Sequence, residues 1–425
     1  MTREAIVITG TGAVCASGDT PQAIFAAVQS GASAIRPISG WDTTGWPPFR
    51  AAELPQFNAR ALVDDRKLHK FIRRTDFFGI YAGDRAVANA GFGAHREALA
   101  PEAAAQFSDR TGVYVGSGGG AFENQYDYFP LMTEAREDLR SFGAELGNVV
   151  NPMWLLRTLP NNVLCHVGIR NNLKGANACI TNHSCGGTMA VIEASEGLRN
   201  GEADRAVAIG HDTPIEPQNV LYYNECGLLG SDAIRPFDAR RDGSLFGEGA
   251  GALALETASA AESRGATVIG EVLGGGHAAE AAGLLAIRED GDGVERAVRA
   301  ALADARLSAD EVGMIVTHGN GTRLSDSSEA AALTRVFGDR MPPATAFKWA
   351  FGHLIAAAGI VETVVALQAL RAGVVPGIAT LQSLDPACSG MRVSAEPQAP
   401  RSDIALIVCR GFASTDTALL VRARK

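Results

Sequence analysis

The sequence predicts a layered α/β protein. Short apolar runs rich in β-branched residues recur along all 425 residues, and helical patterns separate them. Composition agrees: 46% hydrophobic residues, 20% charged residues and 48 glycines describe a closely packed chain, not a disordered or fibrous one. A chain of this length exceeds one ordinary core, so two domains or two fused halves are expected.

In chain order, "EAIVITG", "GVYVGSG", "RAVAIG" and "ALALET" read as buried strands of a first half. "VIGEVLG", "MIVTHG", "IALIVC" and "TALLV" read the same way in a second. "VERAVRAALADARL" (Val294–Leu307) sets apolar residues at helical spacing with charges opposite, which predicts a surface helix. The "SADEVGMIVTHGNGT" after it reads as cap, strand and turn. The clearest break in composition is "ETASAAESRGAT" (Glu256–Thr267). It predicts halves spanning 1–258 and 259–425, packed on a common core.

The totals exclude several classes. A net charge of −9 disfavours nucleic acid or an anionic membrane as partner. No apolar run approaches the ~20 residues of a membrane helix, and "MTREAIVITG" lacks signal-peptide architecture, so a cytoplasmic protein is expected. The seven cysteines (Cys15, Cys165, Cys179, Cys185, Cys226, Cys388 and Cys409) lack paired spacing, which disfavours a disulfide framework. No CxxC or HExxH is present, so no metal is expected. "TGTGAV" lacks the third glycine and acidic partner of a dinucleotide fingerprint and reads as a tight strand-to-helix turn. "GSGGG" (Gly116–Gly120) lacks the Lys-Ser/Thr of a phosphate loop and reads as a place where backbones come close.

Three segments carry chemistry. "NACITNHSCGGTMA" (Asn177–Ala190) puts His183, Ser184 and Cys185 at the predicted start of a helix. "THGNGTRLSDSSE" supplies His318, Asn320, Thr322, Asp326 and Glu329, and "FKWAFGHLIAAAGIVE" supplies Lys348, His353 and Glu362. Phe412 lies in "CRGFASTD" near the C-terminus. Both histidine segments place an imidazole beside a glycine, as if aimed at one cavity.

With these residues and "RPFDARRDGSLFGEGAGALALE" (Arg235–Glu256), nearly the whole chain resembles the β-ketoacyl-acyl-carrier-protein synthases, condensing enzymes of the thiolase fold. The resemblance implies two pseudo-symmetric βα halves in a five-layer αβαβα arrangement. It implies that His318 and His353 are the catalytic pair, supported by a Lys348–Glu362 charge pair, with Lys348 counted among the catalytic residues. Asp326 and Glu329 would order the His318 loop, and Phe412 would gate the pocket. The backbone N–H groups of Ser184 and Phe412 would form the oxyanion hole. In the family a Gly precedes the nucleophile by nine residues and a "GxAD" begins seventeen after it. Gly175 and the "GEAD" at Gly201–Asp204 both converge on Ser184, where the family has cysteine. Cys185 is then a small buried neighbour or a second acyl acceptor. Asn320 replaces, and Thr322 keeps, the two threonines that contact a phosphopantetheine arm. "GFASTD" replaces a more glycine-rich "GFGGTN", which implies a stiffer gate.

The implied reaction takes an acyl group from an acyl carrier protein, docked in trans, onto Ser184. Decarboxylative Claisen condensation with a malonyl thioester follows, in fatty-acid or polyketide-type biosynthesis. No permanently bound cofactor is implied; the carrier's phosphopantetheine arm brings the substrate. A homodimer or a heterodimer with a related synthase is implied as well. Two other functions stay open: acyl transfer or hydrolysis through Ser184 without C–C bond formation, and a non-catalytic chain-length-determining subunit.

Serine changes the chemistry. A helix N-terminus favours an anion by ~0.3–1 kcal/mol, and one pKa unit is worth ~1.36 kcal/mol. That bias helps a thiol but does almost nothing for an alcohol, so Ser184 needs a base. His353 is the first candidate and His318 the second. His183 is set aside for packing or a subunit contact, because adjacent side chains on a helix point apart.

Overall fold

The computed structural model describes residues 4–54, 57–119, 125–126, 128–413 and 415–424. All eight apolar runs become strands of one ten-stranded sheet. In chain order its strands are β1 (Ile6–Cys15), β2 (Thr111–Ser117), β3 (Asn177–Ile180), β4 (Arg205–Asp212) and β5 (Gly249–Thr257). The second five are β6 (Gly270–Ala279), β7 (Met314–Val316), β8 (Ala344–Thr345), β9 (Ile404–Gly411) and β10 (Thr415–Ala423). β3 and β8 have no counterpart in the sequence reading. They span four and two residues, too short for a period to register.

The strand order is β8-β7-β9-β10-β6-β1-β5-β4-β2-β3. Its two halves repeat one pattern. From β1 outward the pairings run antiparallel, antiparallel, parallel, parallel, through β5, β4, β2 and β3. From β6 outward the same sequence passes through β10, β9, β7 and β8. The halves join where β1 pairs antiparallel with β6.

Five helices complete the layers. α1 (Arg74–Asn89) covers β1, β4 and β5 on one outer side. α2 (Gly186–Arg199) contacts strands of both halves. α3 (Asp292–Ala305) covers β6 and β10 on the other outer side, and α4 (Arg323–Phe337) packs beside it. α5 (Ala358–Ala372) contacts α2 and strands of both halves, so α2 and α5 form the central layer. This is the αβαβα arrangement.

Small residues make the sandwich close. A Cβ on Gly12 would sit 2.1 Å from the Ala82 carbonyl oxygen, so α1 can lie on β1 only where the strand lacks a side chain. The "TGTGAV" motif is therefore the middle of a strand and not the turn it resembles in sequence. A Cβ on Gly116 would meet the Gly186 carbonyl carbon at 2.2 Å, and one on Gly118 would lie 2.3 Å from Asp212 Oδ1, so these two glycines of "GSGGG" mark close approaches; Gly120 lies outside the described residues. α5 is buried on nearly every face; with the turn before it, it is long and apolar enough to cross a membrane (Ile355–Ala372). Here 83% of that stretch is packed inside the protein, where each buried Val, Ile or Leu stabilises by about 1.5–3 kcal/mol.

Candidate active site

Beyond β3 the chain turns through a short 3-10 segment, His183–Cys185, into α2. A Cβ on Gly187 would lie 2.5 Å from the Ala356 carbonyl oxygen. The missing side chain lets the first turn of α2 press against the turn that follows His353, which brings the two halves' functional groups together. Ser184 is fully buried, and its Oγ lies 3.1 Å from His353 Nε2.

Cys185 faces the opposite way. Its thiol lies 3.3 Å from the Thr415 carbonyl and 3.6 Å from that of Cys409, and burial pushes it up to about 12. It is a packed thiol, held protonated by its burial. His183 departs from expectation. Its φ is +43°, outside the right-handed helical region, so the rule that neighbouring helical side chains diverge does not apply. Its Nδ1 lies 2.9 Å from Ser184 Oγ.

On the other half, His318 follows β7. Glu329 of α4 accepts the N–H of His318 at 2.7 Å and of Gly319 at 3.0 Å. Asp326 accepts the N–H of Phe237 at 2.8 Å and of Gly321 at 3.2 Å. These two carboxylates hold the loop from both ends. Asn320 Oδ1 accepts both the N–H and the hydroxyl of Thr322, at 2.9 and 2.8 Å. Thr322 therefore has its hydroxyl proton engaged and offers an arm in the pocket only acceptor lone pairs.

Backbone donors set both tautomers. His318 Nδ1 accepts the N–H of Arg410 on β9, and His353 Nδ1 accepts that of Ile355, each at 3.2 Å. A neutral ring that accepts at Nδ1 carries its proton on Nε2. His353 thus donates to Ser184 and cannot take its proton, which corrects the expectation that His353 is the base. His318 is excluded in the same way. Ile355, β-branched yet at φ +45°, is strained by about 1–3 kcal/mol to supply its donor. Asp212, at the end of β4, steadies that turn by accepting the Ala356 N–H at 3.3 Å. The rings of His318 and His353 meet edge to face, with centroids 5.2 Å apart.

Burial, then the nearby Lys348 charge, drives both rings well below the ordinary imidazole value, so both are neutral donors at pH 7. Lys348 Nζ lies 2.7 Å from Glu362 Oε1, and both side chains are fully buried. Lys348 does not line the cavity. Its charge lies behind the imidazoles and disfavours their protonation. Burial lifts Glu362 and Glu329 to about 7 and Asp326 to about 6.

The cavity over Ser184 measures about 70 Å³ and is lined by Asn320, Thr322, Phe412 and both histidines of the pair. Phe412 closes it, stacking on His183 at 4.2 Å between centroids and on Tyr223 at 5.2 Å. Ala413 donates to the Leu284 carbonyl at 2.7 Å and sits at φ +59°, where an alanine is far more restricted than a glycine. Ser414 of the same motif lies outside the described residues. The Phe412 N–H points at His183 Nδ1, 3.4 Å away, so the donor assigned to the oxyanion hole is shared with an imidazole.

Sequence reasoning missed Tyr223 altogether and set His183 aside. Tyr223 belongs to a helix, Pro217–Glu225, that carries no motif, and only the fold lays it beside residue 183.

Comparison with known proteins identifies the family of the chain. Residues 3–261 match the family model for the beta-ketoacyl synthase N-terminal domain, and residues 269–382 match the C-terminal domain. The chain is 32% identical to a 3-oxoacyl-[acyl-carrier-protein] synthase 2 of Rhizobium meliloti, covering 98% of each chain. It is 29% identical to nodulation protein E of Rhizobium leguminosarum bv. trifolii, covering 99% of each. Among solved structures, a beta-ketoacyl synthase from Burkholderia phymatum superposes with a TM-score of 0.87 at 27% identity, over 99% of this chain and 100% of that one. The ishigamide ketosynthase/chain length factor gives 0.86 at 26%, over the whole of both chains.

Proposed function

The chain belongs to the β-ketoacyl synthase family, and on that premise we propose that it condenses acyl units through an ester on Ser184. Residues 1–258 supply the nucleophile and residues 259–425 the histidine pair. The observation that supports this reading is the 3.1 Å contact between Ser184 Oγ and His353 Nε2, with the His318 ring beside it. An acyl group delivered on the phosphopantetheine arm of a carrier protein, docked in trans, passes to Ser184 and releases the arm as a thiol. A malonyl thioester then enters. As carbon dioxide leaves, the Nε2–H groups of His318 and His353 donate to the developing enolate oxygen, a preorganised stabilisation worth about 2.7–4 kcal/mol per donor. The carbanion attacks the ester carbonyl, the C–O bond to Ser184 breaks as the tetrahedral adduct collapses, and the leaving oxygen is reprotonated by a proton taken up from water. The subunit pairs with a second copy or with a related synthase.

An oxygen ester is less electrophilic toward carbon than a thioester. The serine therefore favours a second reading, in which the acyl group passes to an oxygen, nitrogen or thiol acceptor. Intact-mass analysis after exposure to an acyl-carrier thioester tests both. An adduct is expected on the native chain and on Cys185→Ala, and none on Ser184→Ala. Loss of the adduct in the cysteine variant alone overturns the assignment. Absence of any adduct points to a non-catalytic chain-length-determining subunit. Malonyl-thioester decarboxylation separates condensation from simple transfer.

A further inference from the structure

The family reading leaves the Ser184 proton without a destination. Both histidines of the pair have their Nε2 protons turned toward the pocket and their Nδ1 lone pairs occupied by backbone N–H groups. A third imidazole is within reach. His183 Nδ1 lies 2.9 Å from Ser184 Oγ, and the Phe412 N–H is aimed at the same nitrogen. The Phe412 N–H, at 3.4 Å, is the longer of two donors that share the single Nδ1 lone pair with the Ser184 hydroxyl, and that lone pair places the ring proton on Nε2, which meets Tyr223 Oη at 2.5 Å. The hydroxyl of Ser184 is thus bracketed. It accepts from His353 Nε2–H on one side and donates to His183 Nδ1 on the other.

We propose that His183 is the base that activates Ser184, held in the accepting tautomer by Tyr223 and the Phe412 N–H. The proposal rests on the reading of Ser184 as nucleophile. In the acylation step the Ser184 oxygen bonds to the thioester carbonyl carbon while its proton moves to His183 Nδ1. Collapse of the tetrahedral adduct breaks the C–S bond, and the proton passes from His183 to the departing thiolate, which leaves as a thiol. His183 ends neutral and ready for the next cycle. As the ring turns cationic, its Nε2–H gives a stronger hydrogen bond to Tyr223, which makes Tyr223 a positioning residue. The geometry also accounts for the pairing of this serine with this histidine: a thiol would ionise without such help, whereas an alcohol does not.

The titratable groups around His183 are Tyr223, His353 and His318, and burial holds its ring down to about 4. It is therefore a neutral acceptor throughout the working range, able to receive a proton only transiently.

The test measures the rate of Ser184 acylation by an octanoyl thioester of a bacterial acyl carrier protein, followed by intact mass. His183→Ala is expected to slow acylation about 10²–10⁴-fold. The decisive variant adds Ser184→Cys: a thiolate needs no base, so His183→Ala should cost little in that background. Tyr223→Phe should show the same dependence with a smaller loss. Acylation of His183→Ala at the native rate overturns the proposal. So does an equal loss in the cysteine background, which would mean that His183 only shapes the pocket. A large loss in His353→Ala with none in His183→Ala would return the role to the pair. If the native chain acquires no adduct at Ser184, the nucleophile reading itself fails and the proposal falls with it, an outcome distinct from the others.

Discussion

The two walls of the pocket over Ser184 are built from the same side chain and do opposite things. His318 and His353, from the second half of the chain, have Nδ1 closed by backbone donors and present protons. His183, from the first half, turns its Nδ1 to the serine and points its proton away at Tyr223. Residue type is identical; what differs is which ring nitrogen a backbone N–H or a phenol has claimed. An imidazole's function is therefore assigned by its second hydrogen bond.

The largest effect that would break this comparison lies behind the donor wall, where Lys348 and Glu362 form a fully buried ion pair. Lys348→Met should destabilise the protein by about 3–5 kcal/mol near pH 8, because Glu362 would be left buried without its partner. The loss should shrink toward pH 5. Burial lifts Glu362 to about 7 against 4.5 for an ordinary glutamate even with Lys348 beside it, and loss of Lys348 lifts it further, so the folded variant holds the extra proton from about 4.5 to beyond 7. Stability accordingly falls as pH rises through that window, which denaturant titrations of the variant at the two pH values would measure.

Next in size, His318→Ala or His353→Ala should each cut malonyl decarboxylation about 10²–10³-fold, with acylation of Ser184 affected less. Equal losses in both half-reactions would erase the distinction between the walls. Cys185→Ala should leave acylation unchanged and lower stability by roughly 1–2 kcal/mol for the small cavity it opens, read from a thermal melt. The smallest effect is the sharpest. Acylation should show no imidazole limb from pH 8 to pH 6, because burial depresses His183, His318 and His353 together and imidazolium forms only at lower pH. The buried carboxyls of Glu329, Glu362 and Asp326 titrate at about 6 to 7, so a limb near 6.5 that survives Glu329→Gln, Glu362→Gln and Asp326→Asn would show one ring to be solvated and would contradict its buried position.

Much of the fold is legible in the chain. Eight of the strands announce themselves as apolar runs, and α3 follows the amphipathic pattern of Val294–Leu307 within two residues at each end. Ser308 and Glu311 form the expected cap after it. The failures have physical causes. "TGTGAV" looks like a turn because glycine signals freedom, yet Gly12 is needed for the space it leaves to α1. β3 and β8 are created by their neighbours in the sheet and not by their own composition.

The sequence by itself determined the layered architecture, because spacing and polarity act locally and survive in a string of letters, and its resemblance to the family singled out Ser184 and the two histidines as candidates. Only tertiary structure decided which way each imidazole faces. That choice depends on a left-handed φ at residue 183, on backbone donors from Arg410, Ile355 and Phe412, and on a tyrosine forty positions away. These are contacts between segments distant in the chain, and a hydrogen bond made across a fold leaves no periodicity behind it.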